Sequence, residues 1–333
     1  MPAIIAKIIA WVLTVKLVRA FLLYSERRGP MLADSVTYRA LFSIFAGVLL
    51  GFSFAALWFA GNPAAFQSLI SSVDAVIPGL VGEGGLIDPS DIDAPAGLTV
   101  AGILATIGLL LAAIGAIGSM RMAMRSIAAT LNDDILFIWV ILRNLALAIG
   151  IGLALGASAV ITFLATFGVS ILADWFGMPQ DSPLVAVLTG VIGVIVVFIL
   201  DAAAIAVLFV VLSGIRPPAR ALWSGAILGA IGLTVLQQLS GLFVGGAGSN
   251  PLLASFASLI ALLLWVNLSS QVILIATAYI VVGVDESRDR VRTKFGASTF
   301  LQRRVRQAEV AVQLATDELR RARELEEEER TRA

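Results

Sequence analysis

The sequence predicts an all-α fold, a polytopic membrane helix bundle with six transmembrane helices, an N-terminal interfacial helix and a C-terminal cytoplasmic helix. Hydrophobic residues make up 59% of the chain and charged residues 14%. Soluble domains are about half apolar and about one quarter charged. Apolar stretches that reach the roughly 20 residues needed to cross a bilayer also recur along the chain. We therefore expect a membrane protein.

Residues 1–30 form the predicted interfacial segment. Lys7, Lys16 and Arg19 interrupt its apolar run, and no small-x-small cleavage site follows. A cleaved signal peptide is therefore not expected. On a helix these cations would point at several angles, which suits the membrane surface better than a full span. A span across residues 3–24 is the alternative.

Six apolar stretches within residues 31–283 predict the transmembrane domain. The candidate spans are 36–60, 98–119, 138–172, 184–213, 221–243 and 252–282. Several exceed the minimum length, so we expect tilted or kinked helices, or helices that extend past the bilayer. Glycines four residues apart let membrane helices approach closely. Such pairs are Gly47/Gly51, Gly152/Gly156 and Gly225/Gly229.

The distribution of basic residues predicts the orientation of the spans. Three intervals contain no Lys or Arg, and each is wide enough for two spans and their loop: 40–120, 144–215 and 221–287. Basic residues flank every interval, and positive residues stay on the cytoplasmic side. The prediction is three outward hairpins with both termini cytoplasmic. The predicted outer loops are 61–97, 173–183 and 244–251.

Residues 284–333 are predicted to form a cytoplasmic tail that begins with a basic stretch. The basic residues are Arg288, Arg290, Arg292, Lys294, Arg303, Arg304 and Arg306. Next to the last span, they would attract anionic lipid headgroups. The other interpretation is that they only keep this end of the last span on the cytoplasmic side, and that the helix after them is solvated.

Apolar residues in the tail follow the alternating four- and three-residue spacing of a coiled-coil seam. The seam residues are Leu301, Val305, Ala308, Val312, Ala315, Leu319 and Ala322. Alanine is frequent among them, so the seam is weak. It predicts either a homodimer or a helix that packs against the bundle.

One carboxylate lies deep within an apolar stretch. Asp201 interrupts "VVFILDAAAIAVLF" at 196–209, and an ionisable residue in a span usually faces the bundle interior and pairs. The sequence predicts a polar cluster with an arginine as ion partner, comprising Asp201, Asn267, Gln271, Arg39 and Arg143. Gln237 and Gln238 are expected nearer the outer side. The cluster either lines a water-accessible cavity for protons, ions or a polar headgroup, or only fixes helix packing.

Several kinds of chemistry are disfavoured by residue type. The chain has no cysteine and no histidine, which excludes disulfides, thiolate chemistry, His-based zinc sites and His general bases. Asp133 and Asp134 would project about 100° apart on a helix, and a metal-dependent nuclease needs more convergent ligands. The acidic run at 326–329 opposes nucleic-acid binding. We expect no enzyme, no catalytic or metal site, no cofactor and no nucleic-acid partner.

Three stretches carry a family resemblance. They are "RRGPMLADSVTYRALFSIF" before the first span, "RPPARALWSGAILGA" at the start of the fifth, and "LLLWVNLSSQVILIATAY" in the last. Together they resemble the YihY/BrkB family, sometimes labelled ribonuclease BN, over residues 25–282. Where that family usually continues with Gly-Ala-Glu, this chain has Ala276, Thr277 and Ala278, so any role of that glutamate is absent or moved. The resemblance implies a six-helix bundle in the bacterial inner membrane and a transporter.

Two function hypotheses therefore stand. The first is a transporter or translocator of a lipid or another amphiphilic or charged solute, with membrane lipids as partners. It is supported by Asp201 and the basic inner face. The second is a non-transporting envelope or scaffold protein that recruits a partner through its tail. A nuclease is the least favoured hypothesis.

Overall fold

Every element in the described part of the chain is helical. The computed structural model describes residues 11–58, 100–130, 141–147, 150, 183–245, 251–288 and 299–332. The helices are α1 (Lys16–Glu26), α2 (Gly29–Trp58), α3 (Val100–Ala128), α4 (Pro183–Leu212), α5 (Ala219–Gly245), α6 (Pro251–Arg288) and α7 (Phe300–Arg332). A further helical segment covers 141–147. No strand occurs among these residues, so the all-α prediction is confirmed for them.

Three stretches of the described residues are long and apolar enough to cross a membrane. They are Gly190–Leu212 in α4, Ala219–Leu239 in α5 and Leu259–Ser287 in α6. They coincide with the last three predicted spans. The predicted outer-loop residues 61–97, 173–182 and 246–250 lie outside the described residues, as does the pair Gly152/Gly156.

α1 is a short helix that turns directly into α2. It has 11 residues, which span roughly 16 Å at 1.5 Å per residue, about half the hydrocarbon thickness of a bilayer. Arg28 adopts the left-handed conformation (φ 55°) at the corner. Pro30 then occupies the first turn of α2, where its missing N–H is no loss.

Small residues set the spacing of α4, α5 and α6. A Cβ built at Gly225 would collide with Ile280 of α6 and lie 3.2 Å from the carbonyl oxygen of Ala276. A Cβ at Gly229 would lie 2.6 Å from Ile205 Cδ1 of α4 and 2.9 Å from Ala276 Cβ. The predicted close approach at this glycine pair is therefore confirmed, and α5 packs between α4 and α6.

α1, α2 and α3 also pack against α6. α2 packs against α3 and α6, and α1 lies along the C-terminal half of α6. Their shared core contains Tyr24 of α1, Val36 of α2, Ile117 and Met124 of α3, and Leu274 of α6. Burial of these apolar side chains explains why an 11-residue helix is held in place.

The end of the bundle where α1, the C-terminal ends of α3 and α6, and residues 213–218 meet is called the basic end below. Thr130 Oγ1 donates a hydrogen bond to the Ser213 carbonyl oxygen (2.8 Å), and Arg125 Nε donates one to the carbonyl oxygen of Leu212 (3.4 Å). The latter caps the C-terminus of α4, where free carbonyls favour a cation. Gly214 takes the positive φ (75°) that the tight connection to α5 requires.

Candidate functional site

Asp201 stands at the midpoint of the apolar stretch Gly190–Leu212 of α4. Gln237 of α5 donates a hydrogen bond from Nε2 to Asp201 Oδ2 at 3.2 Å. Both side chains are partly buried. Small residues follow Asp201 in α4, and Ala202 and Ala206 are buried. The carboxylate therefore faces a neutral amide on the neighbouring helix.

A second group of polar side chains joins α2 to α6. Asn267 Nδ2 donates to Asp34 Oδ1 at 2.8 Å and to Thr37 Oγ1 at 3.3 Å. Gln271, one turn further along α6, donates from Nε2 to Asn267 Oδ1 at 2.7 Å. Asp34 is exposed, whereas Thr37 is buried. This group therefore leads from an exposed carboxylate near the start of α2 to buried polar atoms between the helices.

The structure divides the polar cluster that the sequence predicted. Asn267 and Gln271 bond to each other and to α2, whereas Asp201 bonds to Gln237. The predicted ion pair of Asp201 with Arg39 or Arg143 is also not found in the described part of the chain. Arg39 is exposed and its Nη1 would lie 3.7 Å from a Cβ built at Gly115 of α3. Among the described residues, Asp201 forms no ion pair.

Arg143 lies in the helical segment 141–147, which also packs near α3. Its neighbour Asn144 is buried, with Nδ2 3.6 Å from a Cβ built at Gly118. Leu147 of the same segment belongs to the core that contains Val36 and Ile117. Both predicted arginines are therefore associated with α3, whereas Asp201 lies on α4 and bonds to α5.

Sequence reasoning missed Gln237, Asp34 and Thr37. A signal for Gln237 was present, because consecutive elements with a short connection are usually neighbours in space, and only residues 213–218 separate α4 from α5. Counting residues from the ends of the predicted spans puts Gln237 nearer the outer side than Asp201. The six-residue connection 213–218 lets α5 shift along α4, and this shift brings the two side chains together. Asp34 was overlooked because it precedes the predicted first span, whereas α2 begins at Gly29.

Ion pairs at the basic end tie α1 to α6 and α7. Arg19, which is buried in α1, bonds to Glu286 near the end of α6. Arg303 of α7 pairs with Glu26 and also donates to the Arg19 carbonyl oxygen at 3.2 Å. These contacts join the two ends of the chain. They would help to seat the N-terminal helix on the bundle.

The packing of α1 shifts the pKa of two of its side chains, Lys16 and Tyr24. Lys16 Nζ lies 4.0 Å from the ring centre of Tyr279, and burial lowers the pKa of Lys16, partly opposed by the charge of Glu286. Burial, and after it the charge of Asp34, raises the pKa of Tyr24 to about 12. Tyr24 is therefore neutral at physiological pH.

Part of the predicted lipid-contacting stretch can be located. Arg303 is mostly buried in its pair with Glu26, Arg304 is exposed and Arg306 is half-buried. Arg288 ends α6, and Arg290, Arg292 and Lys294 lie outside the described residues. Two other basic residues, expected only to flank a span, are buried: Arg121 is 4% and Arg125 8% exposed. Basic residues here therefore build the protein interior as well as its surface.

α7 exposes most of its predicted seam. Leu301 is 74% exposed, Val312 67% and Leu319 52%. The helix is 33 residues long, and Arg303 and Arg306 near its start face the basic end. The helical prediction for this segment is confirmed. The pairing of its seam stays a prediction.

The chain matches the model of a known protein family. The model of the family described as virulence factor BrkB matches residues 20–297. No curated protein and no solved structure matches the chain. The matched region runs from α1 to the end of α6 and includes both polar groups. α7 lies beyond it.

Proposed function

Because this chain belongs to the family of the virulence factor BrkB, we propose that it is a multi-pass inner-membrane protein that translocates the polar head of a lipid or another amphiphile. In this proposal residues 31–283 form six spans, both termini are cytoplasmic, and residues 284–333 form a cytoplasmic tail. The basic end then faces the cytoplasm. The protein acts without enzymatic chemistry or a cofactor.

The observation that carries the proposal is the environment of Asp201. An ionised side chain at the centre of a span costs about 2.5–3.5 kcal/mol on insertion scales. The hydrogen bond from Gln237 stabilises the carboxylate but does not neutralise it, and no cation among the described residues pairs with it. In this proposal a proton, water or a cationic group of the substrate completes the site. Each of these suits a path for a polar group better than a contact that serves packing alone.

The Asp34–Asn267–Gln271 group supports the same proposal. It begins at an exposed carboxylate near the start of α2 and continues to half-buried amides on α6. Side-chain amides can donate and accept hydrogen bonds, so they can replace part of the hydration of a polar head. With Asp201, the protein would offer two separate sets of polar partners, one between α4 and α5 and one between α2 and α6.

A second candidate function is a scaffold that acts through α7. It is favoured by the exposed apolar seam, because Leu301 and Val312 are among the most exposed large apolar residues of the described chain. A tail that recruits a partner would require this seam. Val312→Asp/Leu319→Asp places two charges in the exposed seam and keeps Arg303 and Arg306 at the basic end. A scaffold should lose its function with this double substitution, and a translocator should keep most of it.

The test of translocation is Asp201→Asn, which removes the charge and keeps the shape and hydrogen-bonding capacity. We expect normal abundance and melting temperature, with loss of complementation in a strain that lacks the protein. Asp201→Glu, which keeps the charge, is the matched control and should restore part of the activity. A stable and fully active Asp201→Asn variant would overturn the proposal.

A further inference from the structure

A cavity of about 540 Å³ lies at the basic end. It is enclosed by α1, residues 213–218, the C-terminal ends of α3 and α6, and the first turns of α7. Ligand sites in proteins have volumes of about 300–1,000 Å³. The cavity is therefore large enough for a lipid headgroup.

The charged side chains that line this cavity are mostly cationic. Five arginines and two carboxylates contribute to its wall. The arginines are Arg19, Arg27, Arg216, Arg303 and Arg306, and the carboxylates are Glu26 and Asp285. Even if both carboxylates and Glu286 each neutralise one arginine, positive charge remains. The wall therefore favours an anion.

Arg27 and Arg216 are the two cations available to such an anion. Neither forms an ion pair with the described residues. Arg27 Nε is buried and makes no hydrogen bond there, although a buried polar atom without a partner is costly. Arg216 projects from the connection between α4 and α5 and is exposed. They approach the cavity from two separate elements.

The remaining wall is apolar. Leu13 and Leu23 from the N-terminal segment, Ile127 from α3, and Val281 and Val284 from α6 line it. An inorganic anion would leave these side chains without a partner. A headgroup with its glycerol and the first methylenes of an acyl chain would contact both the guanidinium groups and the apolar side chains.

We propose that this cavity is a binding site for a phosphate-bearing lipid head, with the phosphate held by Arg27 and Arg216. Guanidinium groups bind phosphate through paired, charge-assisted hydrogen bonds. The inference goes beyond translocation, because it assigns a site at the bundle end and is tested by binding alone. Binding in this cavity also differs from the general attraction of a basic surface to anionic membranes. A defined site saturates with one ligand, and its affinity depends on particular arginines.

The structure supplies a matched pair of variants for the test. Arg27→Gln/Arg216→Gln removes two cavity charges. Arg28→Gln/Arg220→Gln removes two exposed charges one and four residues away, which do not line the cavity. The two variants carry the same net charge and change neighbouring positions. Any difference between them therefore reports on the cavity and not on overall charge.

Binding is measured by calorimetry on the full-length protein in an uncharged detergent. The probes are a short-chain phosphatidylglycerol, short-chain phosphatidylcholine and inorganic phosphate. We expect one saturable site for phosphatidylglycerol in the wild type and in the Arg28/Arg220 variant, and a loss of about tenfold or more in affinity in the Arg27/Arg216 variant. Weaker binding of phosphatidylcholine would show that net negative charge contributes. Binding of inorganic phosphate with equal affinity would identify the source as soluble phosphate and overturn the lipid assignment.

Equal losses in both double variants, or a loss in neither, would overturn the site. If Arg27→Gln/Arg216→Gln melts at a lower temperature than the wild type, the single variants Arg216→Gln and Arg220→Gln decide the question, because both change exposed side chains. Asp201→Asn is expected to bind phosphatidylglycerol normally. Loss of translocation with intact binding would therefore separate the two proposals.

Discussion

Gln237 Nε2 lies 3.2 Å from Asp201 Oδ2, so an amide of α5 donates a hydrogen bond to the carboxylate at the centre of the apolar stretch of α4. The partner of Asp201 is therefore neutral and comes from the next helix along the chain. This contact stabilises the α4–α5 hairpin, and no cation in the described part of the chain pairs with the carboxylate. Stability and function at this site should accordingly respond to different substitutions.

Gln237→Leu is expected to lower the stability of the α4–α5 hairpin. It removes the donor to Asp201 and leaves the carboxylate without its hydrogen bond, at a cost of about 1–2 kcal/mol for interhelical hydrogen bonds in membranes. Gln238→Leu is the control, because Gln238 is exposed and leucine suits a lipid-facing position. Melting temperatures in detergent measure the difference. Equal melting temperatures for the two variants would contradict a stabilising role for this bond.

Gly229→Val is expected to force α5 away from α4 and α6. The added Cβ would lie 2.6 Å from Ile205 Cδ1 and 2.9 Å from Ala276 Cβ, and overpacking of this kind costs about 1–3 kcal/mol. Gly193→Val in α4 is the control, since nothing lies within 4 Å of its Cβ position. The measurement is the thermal unfolding of both variants. If Gly193→Val is the more destabilised of the two, the packing of α5 is wrong.

The proposed orientation can be tested with cysteines, because the natural chain has none. Ser90→Cys and Ser249→Cys should react with an impermeant maleimide in intact cells whose outer membrane has been made permeable. Ser126→Cys, at an exposed position near the end of α3, should react only after cell lysis. Labelling of Ser126→Cys in intact cells would show that the orientation is the reverse of the proposed one.

The seam of α7 is expected to pair between two chains. Leu319→Asp places a charge in the seam at a position that is 52% exposed in one chain, and should abolish a crosslinked dimer without affecting membrane insertion. Gln313→Asp introduces the same charge one residue after Val312, outside the seam, and should leave the dimer intact. Crosslinking yield on gels is the measurement. An unchanged yield with Leu319→Asp would mean that the membrane-embedded helices hold any dimer.

Much of the architecture followed from local composition. Hydropathy alone located the three stretches that are long and apolar enough to cross a membrane, and the boundaries of α4 differ from the predicted 184–213 by one residue at each end. The three quoted motifs were enough to identify the family that the match over 20–297 confirms. Seam periodicity over 301–322 predicted a helix there, and the structure has one from Phe300 to Arg332. Each of these properties depends on neighbours a few residues apart, so it can be calculated along a single chain.

Which side chains pair with each other could not be predicted from neighbours along the chain. Asp201 was assigned to Asn267 and an arginine, and instead bonds to Gln237. Arg303 was expected at the lipid surface, and instead pairs with Glu26, far away in sequence. Such contacts depend on how far each helix is shifted along its neighbour and how it is rotated about its own axis. Glycines such as Gly225 and the offset at residues 213–218 set these values through packing between distant segments. The arginine-lined cavity exists for the same reason, because segments far apart in sequence form its wall only once the helices have packed.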